Sequence, residues 1–290
     1  MAKKIGIIGA TGWIGQHLVE GIRARGDDVI GFSRRENPNN DHEWRVWNGV
    51  GRVDLSGIDA VVNLAGEAID QRWTDLKKEA FYKSRVTLTE ELVRSINHDK
   101  VPLLLNASAI GLYGDRGDEL LPETASVGEG YLAELTRQWE KASDRAQAKV
   151  CLLRTGVVLG KDGRAWKKMA PPFKLGLGGK LGPGTQWMPW IHLADEIGSI
   201  LHCLDHEIEG PVNLVAPESC TNSEFTKTLG KALNRPTIFT APAFALKLAL
   251  GDFAQEGLLA SVRVVPEVLN QTGYQFKYET IEEAVAELCA

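Results

Sequence analysis

Short apolar runs alternate along the chain with stretches whose apolar positions recur at helical spacing. Ile5-Gly6-Ile7-Ile8 is a β-branched run. Beyond it Ile14, Leu18 and Ile22 lie four apart, which places them on one helical face running to Arg25. Gly26-Asp27-Asp28 ends that helix, and Val29-Ile30-Gly31-Phe32 reads as a second strand. Asp59–Gly66 is a further buried strand that finishes in small residues, and Trp73–Asn97 carries a helical stripe of Leu88, Leu92 and Ile96. Val101–Ser108 is the next strand, and a polar loop follows to Gly130. A helix over Tyr131–Ala148 and a strand over Val150–Leu159 complete the series. Strands alternating with helices predict an α/β fold, a doubly wound parallel sheet of the Rossmann type, over residues 1–160.

After Leu159 the pattern changes. Gly160 to Gly184 holds seven glycines, which predicts a loop-rich, mobile cover. It also carries Lys167, Lys168, Lys174 and Lys180, which solvation or a substrate phosphate would explain. Trp187, Pro189, Trp190 and His192 follow as an aromatic cluster suited to a domain interface or to a ring-bearing substrate. Thr221 and Glu224 form a capping box before a helix over Phe225–Leu233. Gly273–Tyr278 reads as a short strand and Ile281–Leu288 as an amphipathic helix. Residues 161–290 are therefore expected to form a smaller, mixed α/β substrate or lid domain, with segments near 186–205 returning to the first domain.

Composition narrows the functional classes. The 290 residues carry 33 Lys and Arg against 38 Asp and Glu, a formal net charge of −5. That acidity argues against a nucleic-acid partner. No uncharged apolar run reaches ~18 residues, so no membrane span is expected. The four cysteines, Cys151, Cys203, Cys220 and Cys289, form no Cys-x-x-Cys pair and read as free thiols of a reducing, cytoplasmic setting. His202 and His206 share a helical spacing but lack a third ligand, so no metal site is expected. The partner to look for is a small-molecule substrate, bound by a monomer or homodimer.

The most specific chemistry lies in Gly9-Ala10-Thr11-Gly12-Trp13-Ile14-Gly15, between the first strand and the first helix. In this G-x-x-G-x-x-G pattern the first glycine permits the tight turn and the second lets backbone approach a pyrophosphate. The third lets the helix pack close to the strand. The phosphates then sit on free N–H groups at the helix N-terminus. Thr11, Trp13 and Ile14 belong to the same cradle. At the end of the second strand an NAD binder usually places a carboxylate for the ribose hydroxyls. This chain has Ser33, Arg34 and Arg35, and a guanidinium can hold a 2′-phosphate by charge-assisted bonds. NADP(H) is the expected cofactor.

Several segments together resemble the extended short-chain dehydrogenase/reductases, the NAD-dependent epimerase/dehydratase superfamily. They are the glycine loop, Asn63-Leu-Ala-Gly-Glu67, Ser84-Arg-Val86 with Thr89, Ser108-Ala-Ile-Gly-Leu-Tyr-Gly114 and Leu153-Arg-Thr-Gly-Val-Val-Leu159. Pro189–Asp195 and Thr221–Phe225 extend the match into the second half. The likeness is strongest to an atypical branch described only as epimerase family proteins. It implies that Asn63, Leu64, Ala65, Gly66 and Glu67 border the ribose and pyrophosphate, and that Val157 runs under the nicotinamide. It also implies a Ser, Tyr and Lys catalytic set, with Tyr-x-x-x-Lys on one helical face. Ser108 and Tyr131 fit the first two roles, but Leu135 stands in the lysine position. A lysine there would lower the tyrosine pKa from about 10 toward the working pH. Arg85, which aligns near the cofactor in relatives, is the preferred replacement, and Arg137 is the other. Alternatively Tyr113 carries the proton. The expected function is an NADP(H)-dependent oxidoreductase or epimerase acting on a nucleotide sugar or another carbonyl or hydroxyl compound. The second reading is an NADP(H)-binding regulatory protein with little catalysis.

Overall fold

The computed structural model describes residues 2–35 and 42–290. Its centre is a seven-stranded sheet in the order Gly210–Leu214, Lys149–Thr155, Leu103–Ala109, Ala60–Asn63, Lys4–Ile8, Asp28–Ser33 and Glu43–Val46. Every neighbouring pair is parallel. From Lys4–Ile8 the chain builds outward to Glu43–Val46, then returns to Ala60–Asn63 on the other side of the first strand. The crevice above that reversal is where doubly wound sheets bind ligands.

Both faces of the sheet are covered. Helix Trp13–Ala24 turns Leu18, Val19 and Ile22 onto one face, beside Ile197, Ile200 and Cys203 of helix Leu193–Asp205. The opposite face takes Leu92, Val93 and Ile96 from helix Leu88–Asp99. Near-continuous apolar strands such as Ala60–Asn63, buried throughout, follow from being covered on both sides.

The structure departs from the sequence pattern in several places, each for a local reason. The stretch expected as one helix over Trp73–Asn97 is Asp75–Tyr82 followed by a π-turn at Lys83–Thr87 and then Leu88–Asp99. The helix starting at Tyr131 ends at Lys141 rather than Ala148. Gly160–Gly184 is not a plain loop. It contains an amphipathic helix, Arg164–Lys174, which buries Trp166, Ala170 and Phe173. Its glycines serve the ends, with Gly163 as the cap and Gly176 at φ +73°. Gly273–Tyr278 is not a strand, because its backbone donors go to a carboxylate. Asp195 accepts the N–H groups of Lys277 at 2.7 Å and Tyr278 at 3.0 Å, and the Tyr274 hydroxyl at 3.1 Å. The return to the first sheet also runs past residue 205, since Gly210–Leu214 is its edge strand.

The remaining C-terminal residues pack around Trp166, Phe173, Trp190, Phe225, Leu229, Ile281 and Val285. Helix Asn222–Ala232 starts at the capping box of Thr221 and Glu224. Two short pairings, Trp187–Met188 with Cys220–Thr221 and Phe239–Ala241 with Gly179–Leu181, brace this half. Arg263–Val264 pairs with Leu120–Leu121 and ties it to the first. Among the described residues no helix is long and apolar enough to cross a membrane.

Candidate functional site at the sheet crevice

The glycine loop is built by close backbone approach. Gly9 sits at φ +85°, and a Cβ there would lie 3.0 Å from the Leu64 carbonyl carbon and 3.1 Å from the Ala65 nitrogen. Gly12 donates its N–H to the Gly9 carbonyl at 2.9 Å. A Cβ on Gly15 would fall on the Gly9 carbonyl oxygen and 2.9 Å from Ala10 Cα. Helix Trp13–Ala24 begins at Gly12 with no side-chain cap and no acidic residue in its first turn. Its leading N–H groups are thus left for an anion. The Trp13 ring does not face that opening. It packs on the turn after Leu159, where a Cβ at Gly160 or Gly163 would come within 2.6 or 2.5 Å of it. Thr11 is exposed at the tip, and Ile14 packs toward the core.

At the end of strand Asp28–Ser33, Ser33 bonds the Arg35 carbonyl with its hydroxyl. Arg34 and Arg35 are exposed and make no ion pair among the described residues. Across the loop, Asn63 is fully buried and acts as a strut. Its amide donates to Asn106 at 2.8 Å and to Thr89 at 3.3 Å, and its oxygen accepts from Ala65 N–H. The backbone of Leu64 and Ala65, held in this way, forms the wall against Gly9. Glu67 pairs with Lys77 at 3.3 Å.

The next link is Gly66, where a Cβ would lie 3.2 Å from an Arg85 guanidinium nitrogen. Arg85 comes from the π-turn Lys83–Thr87, whose extra residue re-aims the helix. The guanidinium lies 5.1 Å from the centre of the Trp139 ring and has Ser84 as its hydrogen-bond acceptor at 3.4 Å. No carboxylate pairs with it among the described residues. Burial pulls its pKa down to about 10, against the raising charges of Tyr131 and Glu67.

Tyr131 stands at the start of helix Tyr131–Lys141, with its ring 5.1 Å from that of Trp73 and its hydroxyl 3.3 Å from the Lys78 carbonyl. Burial raises its pKa above the ordinary value; Arg85 pulls it down and Glu256 pushes it up. The charge of Arg85 thus acts on Tyr131. The lysine position is filled by Leu135, packed among Trp73, Phe81, Val86, Leu132, Trp139 and Phe253. Arg137 is not a substitute for it. It faces solvent and pairs with Glu134 at 2.6 Å.

Ser108 does not join this pair. It is 4% exposed and donates its hydroxyl to Glu140 at 2.6 Å. Glu140 in turn takes two bonds from Arg154, at 2.8 and 3.0 Å. Arg154 donates on to the Tyr113 hydroxyl at 2.9 Å, and Tyr113 donates to Asn213 at 2.7 Å. Tyr113 is 0% exposed. Ser108 and Tyr113 thus stand in one buried hydrogen-bond chain.

Val157 is half-buried, pairs with Trp190 and donates its N–H to Pro189 at 2.8 Å. Beside it Thr155 donates to Glu196 at 3.0 Å. Glu196 is 1% exposed, and burial raises its pKa to about 8 against the lowering bond from Thr155. Nothing in the local sequence signalled this acid. Also unsignalled was the clamp in which Asp70 holds Arg164 at 2.7 Å and Lys168 at 2.6 Å. Trp190 is core, with its indole donating to the Glu218 carbonyl at 3.2 Å, and His192 caps the following helix through Ala194 N–H. Trp187 donates to Asp118 at 2.8 Å and stacks under Arg263. His202 shares a hydrogen bond with Thr272 at 2.9 Å, so it serves a helix end.

Comparison with known proteins agrees with this architecture. The NAD dependent epimerase/dehydratase family matches residues 5–215, and a domain of unknown function matches residues 241–288. An epimerase family protein of Mycobacterium bovis is 42% identical over 97% of this chain and 96% of its own length. The crystal structure of the human epimerase family protein SDR39U1 with NADPH superposes with a TM-score of 0.91 at 31% identity, covering 99% of each chain. A nucleoside-diphosphate sugar epimerase from Corynebacterium glutamicum gives a TM-score of 0.80 at 31% identity, over all of this chain and 58% of its own. With its parallel sheet, its glycine cradle and relatives matched from end to end, this chain belongs to the NAD dependent epimerase/dehydratase family.

Proposed function

We propose that this chain is an NADP(H)-dependent oxidoreductase or epimerase acting on a carbonyl or hydroxyl compound, with Tyr131 as the proton carrier. The observation that carries the reading is a continuous line from Gly9, through Leu64 to Gly66, to the Arg85 guanidinium and on to Tyr131. The N–H groups after Gly12 would hold the pyrophosphate, the backbone of Leu64–Gly66 the ribose, and Val157 the nicotinamide side. Arg34 and Arg35 would take the 2′-phosphate, in keeping with the NADPH in the human relative's structure. The bound nicotinamide would supply or accept hydride at carbon. Tyr131 would give or take the hydroxyl proton on the adjoining oxygen, and Arg85 would stabilise the phenolate. Ser108 is assigned to the supporting wall rather than to the substrate oxygen. Residues 161–290, apart from the return to the sheet, would form the lid. The free thiols suit a reducing compartment such as the cytoplasm.

Binding of NADPH and NADH by the purified chain, followed by NADPH oxidation with a panel of carbonyl compounds and nucleotide sugars, tests this reading. Tight NADPH binding with Tyr131-dependent turnover is expected. Failure to bind NADPH would overturn it. Two observations favour a second reading, a nucleotide-responsive regulator: Leu135 replaces the usual cation, and Tyr131 is held above its ordinary pKa. Tight binding with no turnover on any substrate class would select that reading.

A further inference from the structure

Helix Tyr131–Lys141 starts in an unusual way. Its cap is Gly130 at φ +110°, which offers no side chain to the free N–H groups. The missing cap comes from 124 residues away, where the Leu132 N–H donates to Glu256 Oε2 at 2.8 Å. A Cβ at Gly130 would stand 2.9 Å from that same oxygen, so glycine leaves the room the carboxylate occupies. Glu256 lies in the π-helical turn Ala254–Leu259 of the C-terminal half. Phe253 and Leu258 flank it and pack into the cluster that holds Trp73 and Tyr131. The Phe253 ring centre is 6.0 Å from that of Trp73.

Three elements converge on Tyr131, and their charged groups can be named. Helix Asp75–Tyr82 contributes Lys78, whose ammonium lies 4.9 Å from the ring centre, and Lys77, which is neutralised by Glu67. The π-turn contributes Arg85. The C-terminal half contributes Glu256 and Asp252, the latter paired with Lys78 at 3.4 Å. On its own helix the nearest charges are Glu134 and Arg137, which pair with each other.

We propose that Glu256 is a positioning residue that docks the C-terminal half onto the start of the Tyr131 helix and so fixes Tyr131. The argument rests on Tyr131 being the proton carrier. Its physical basis is that a carboxylate belongs at a helix N-terminus, where it meets both free N–H groups and the positive end of the dipole. One oxygen thus does two things. It seats the helix, and its negative charge raises the proton affinity of Tyr131 when the C-terminal half is docked. Lid docking and proton affinity at Tyr131 become a single event. Glu256 touches no reacting atom, so its effect passes through Tyr131.

The test uses the full chain and needs no turnover. The carbon-13 signal of the labelled tyrosine ζ-carbon, assigned with Tyr131→Phe, reports the Tyr131 titration. Hydrogen exchange at Leu132 reports the cap. Glu256→Gln keeps an oxygen for Leu132 N–H but removes the charge. It should lower the Tyr131 midpoint while Leu132 stays protected. Glu256→Ala should lower the midpoint and also speed Leu132 exchange about tenfold or more. Arg85→Gln should move the midpoint the opposite way. A Tyr131 midpoint in Glu256→Gln equal to the unsubstituted chain overturns the charge role. Unchanged Leu132 exchange in Glu256→Ala overturns the docking role. Neither readout depends on NADPH, so a failure of cofactor binding is told apart from a failure of this inference.

Discussion

Gly15→Ala is the sharpest probe of the nucleotide cradle. The added methyl would overlap the Gly9 carbonyl oxygen and approach Ala10 Cα to 2.9 Å, and both obstacles are backbone. No flexible side chain can yield, so the loop must shift. Loss of two amide bonds to a charged phosphate, at about 1.5 kcal/mol each, is about 3 kcal/mol, roughly 100-fold in Kd. The overpacking itself should cost about 1–3 kcal/mol of stability, which a chain of this size survives. Gly26→Ala is the control. That glycine also has positive φ, at +82°, but nothing lies within 4 Å of its Cβ position. The assay is NADPH fluorescence titration alongside thermal unfolding. Gly15→Ala should bind at least about 100-fold more weakly, whereas Gly26→Ala should lose some stability and no affinity. Wild-type affinity in a folded Gly15→Ala protein would refute the assignment of this loop to a pyrophosphate.

Other outcomes follow from the same geometry. Arg34→Ala should cut NADPH affinity by about tenfold or more and leave NADH affinity unchanged, because a charge-assisted bond is worth about 1.5–3 kcal/mol; an unchanged NADPH to NADH ratio counts against the 2′-phosphate site. Tyr131→Phe should lower turnover by about 100-fold or more at constant NADPH affinity, the usual scale for a lost proton carrier; full turnover removes it from the mechanism. Glu196, with its pKa raised to about 8, binds a proton in the fold that the unfolded chain releases near the ordinary carboxylate value. Stability from this group is therefore fully present at acidic pH and declines as pH rises through the window up to about 8, by about 1.4 kcal/mol per pH unit. Denaturant melts of Glu196→Gln should lose that slope and gain stability at the alkaline end; an unaltered slope would show that Glu196 is not the group responsible.

The local parts of the site were legible in the sequence because their logic is local. Gly9, Gly12 and Gly15 act on one another's backbone within seven residues, and the flanking apolar runs supply the strand and helix that orient them. Ser33, Arg34 and Arg35 could be singled out in the same way, because they stand at a strand end. The partner of Ser108 was not legible, because it is chosen by tertiary structure. Glu140 lies 32 residues away, and its carboxylate is pinned by Arg154, so the hydroxyl is drawn into the wall. The order within Gly160–Gly184 was hidden by its glycines, although Trp166, Ala170 and Phe173 already stood at helical spacing. The π-turn at Lys83–Thr87, which delivers Arg85, has no propensity signature, since packing creates it. Glu256 was invisible for the plainest reason: its partner stands 124 residues earlier.

The late arrival of the edge strand shapes how this molecule is made. Gly210–Leu214 completes the sheet against Lys149–Thr155, and helix Leu193–Asp205 covers Cys151 and Leu153 on that strand's face. On the ribosome, everything up to Leu159 emerges before either element exists. At roughly 5–20 residues per second, the nascent chain carries an open strand edge and a bare apolar face for roughly 3–10 seconds. An unpaired parallel edge of that kind is a template for pairing with another chain. The interval favours capture by a chaperone, and a stop placed near residue 160 would release a fragment bound for aggregation rather than a smaller working domain.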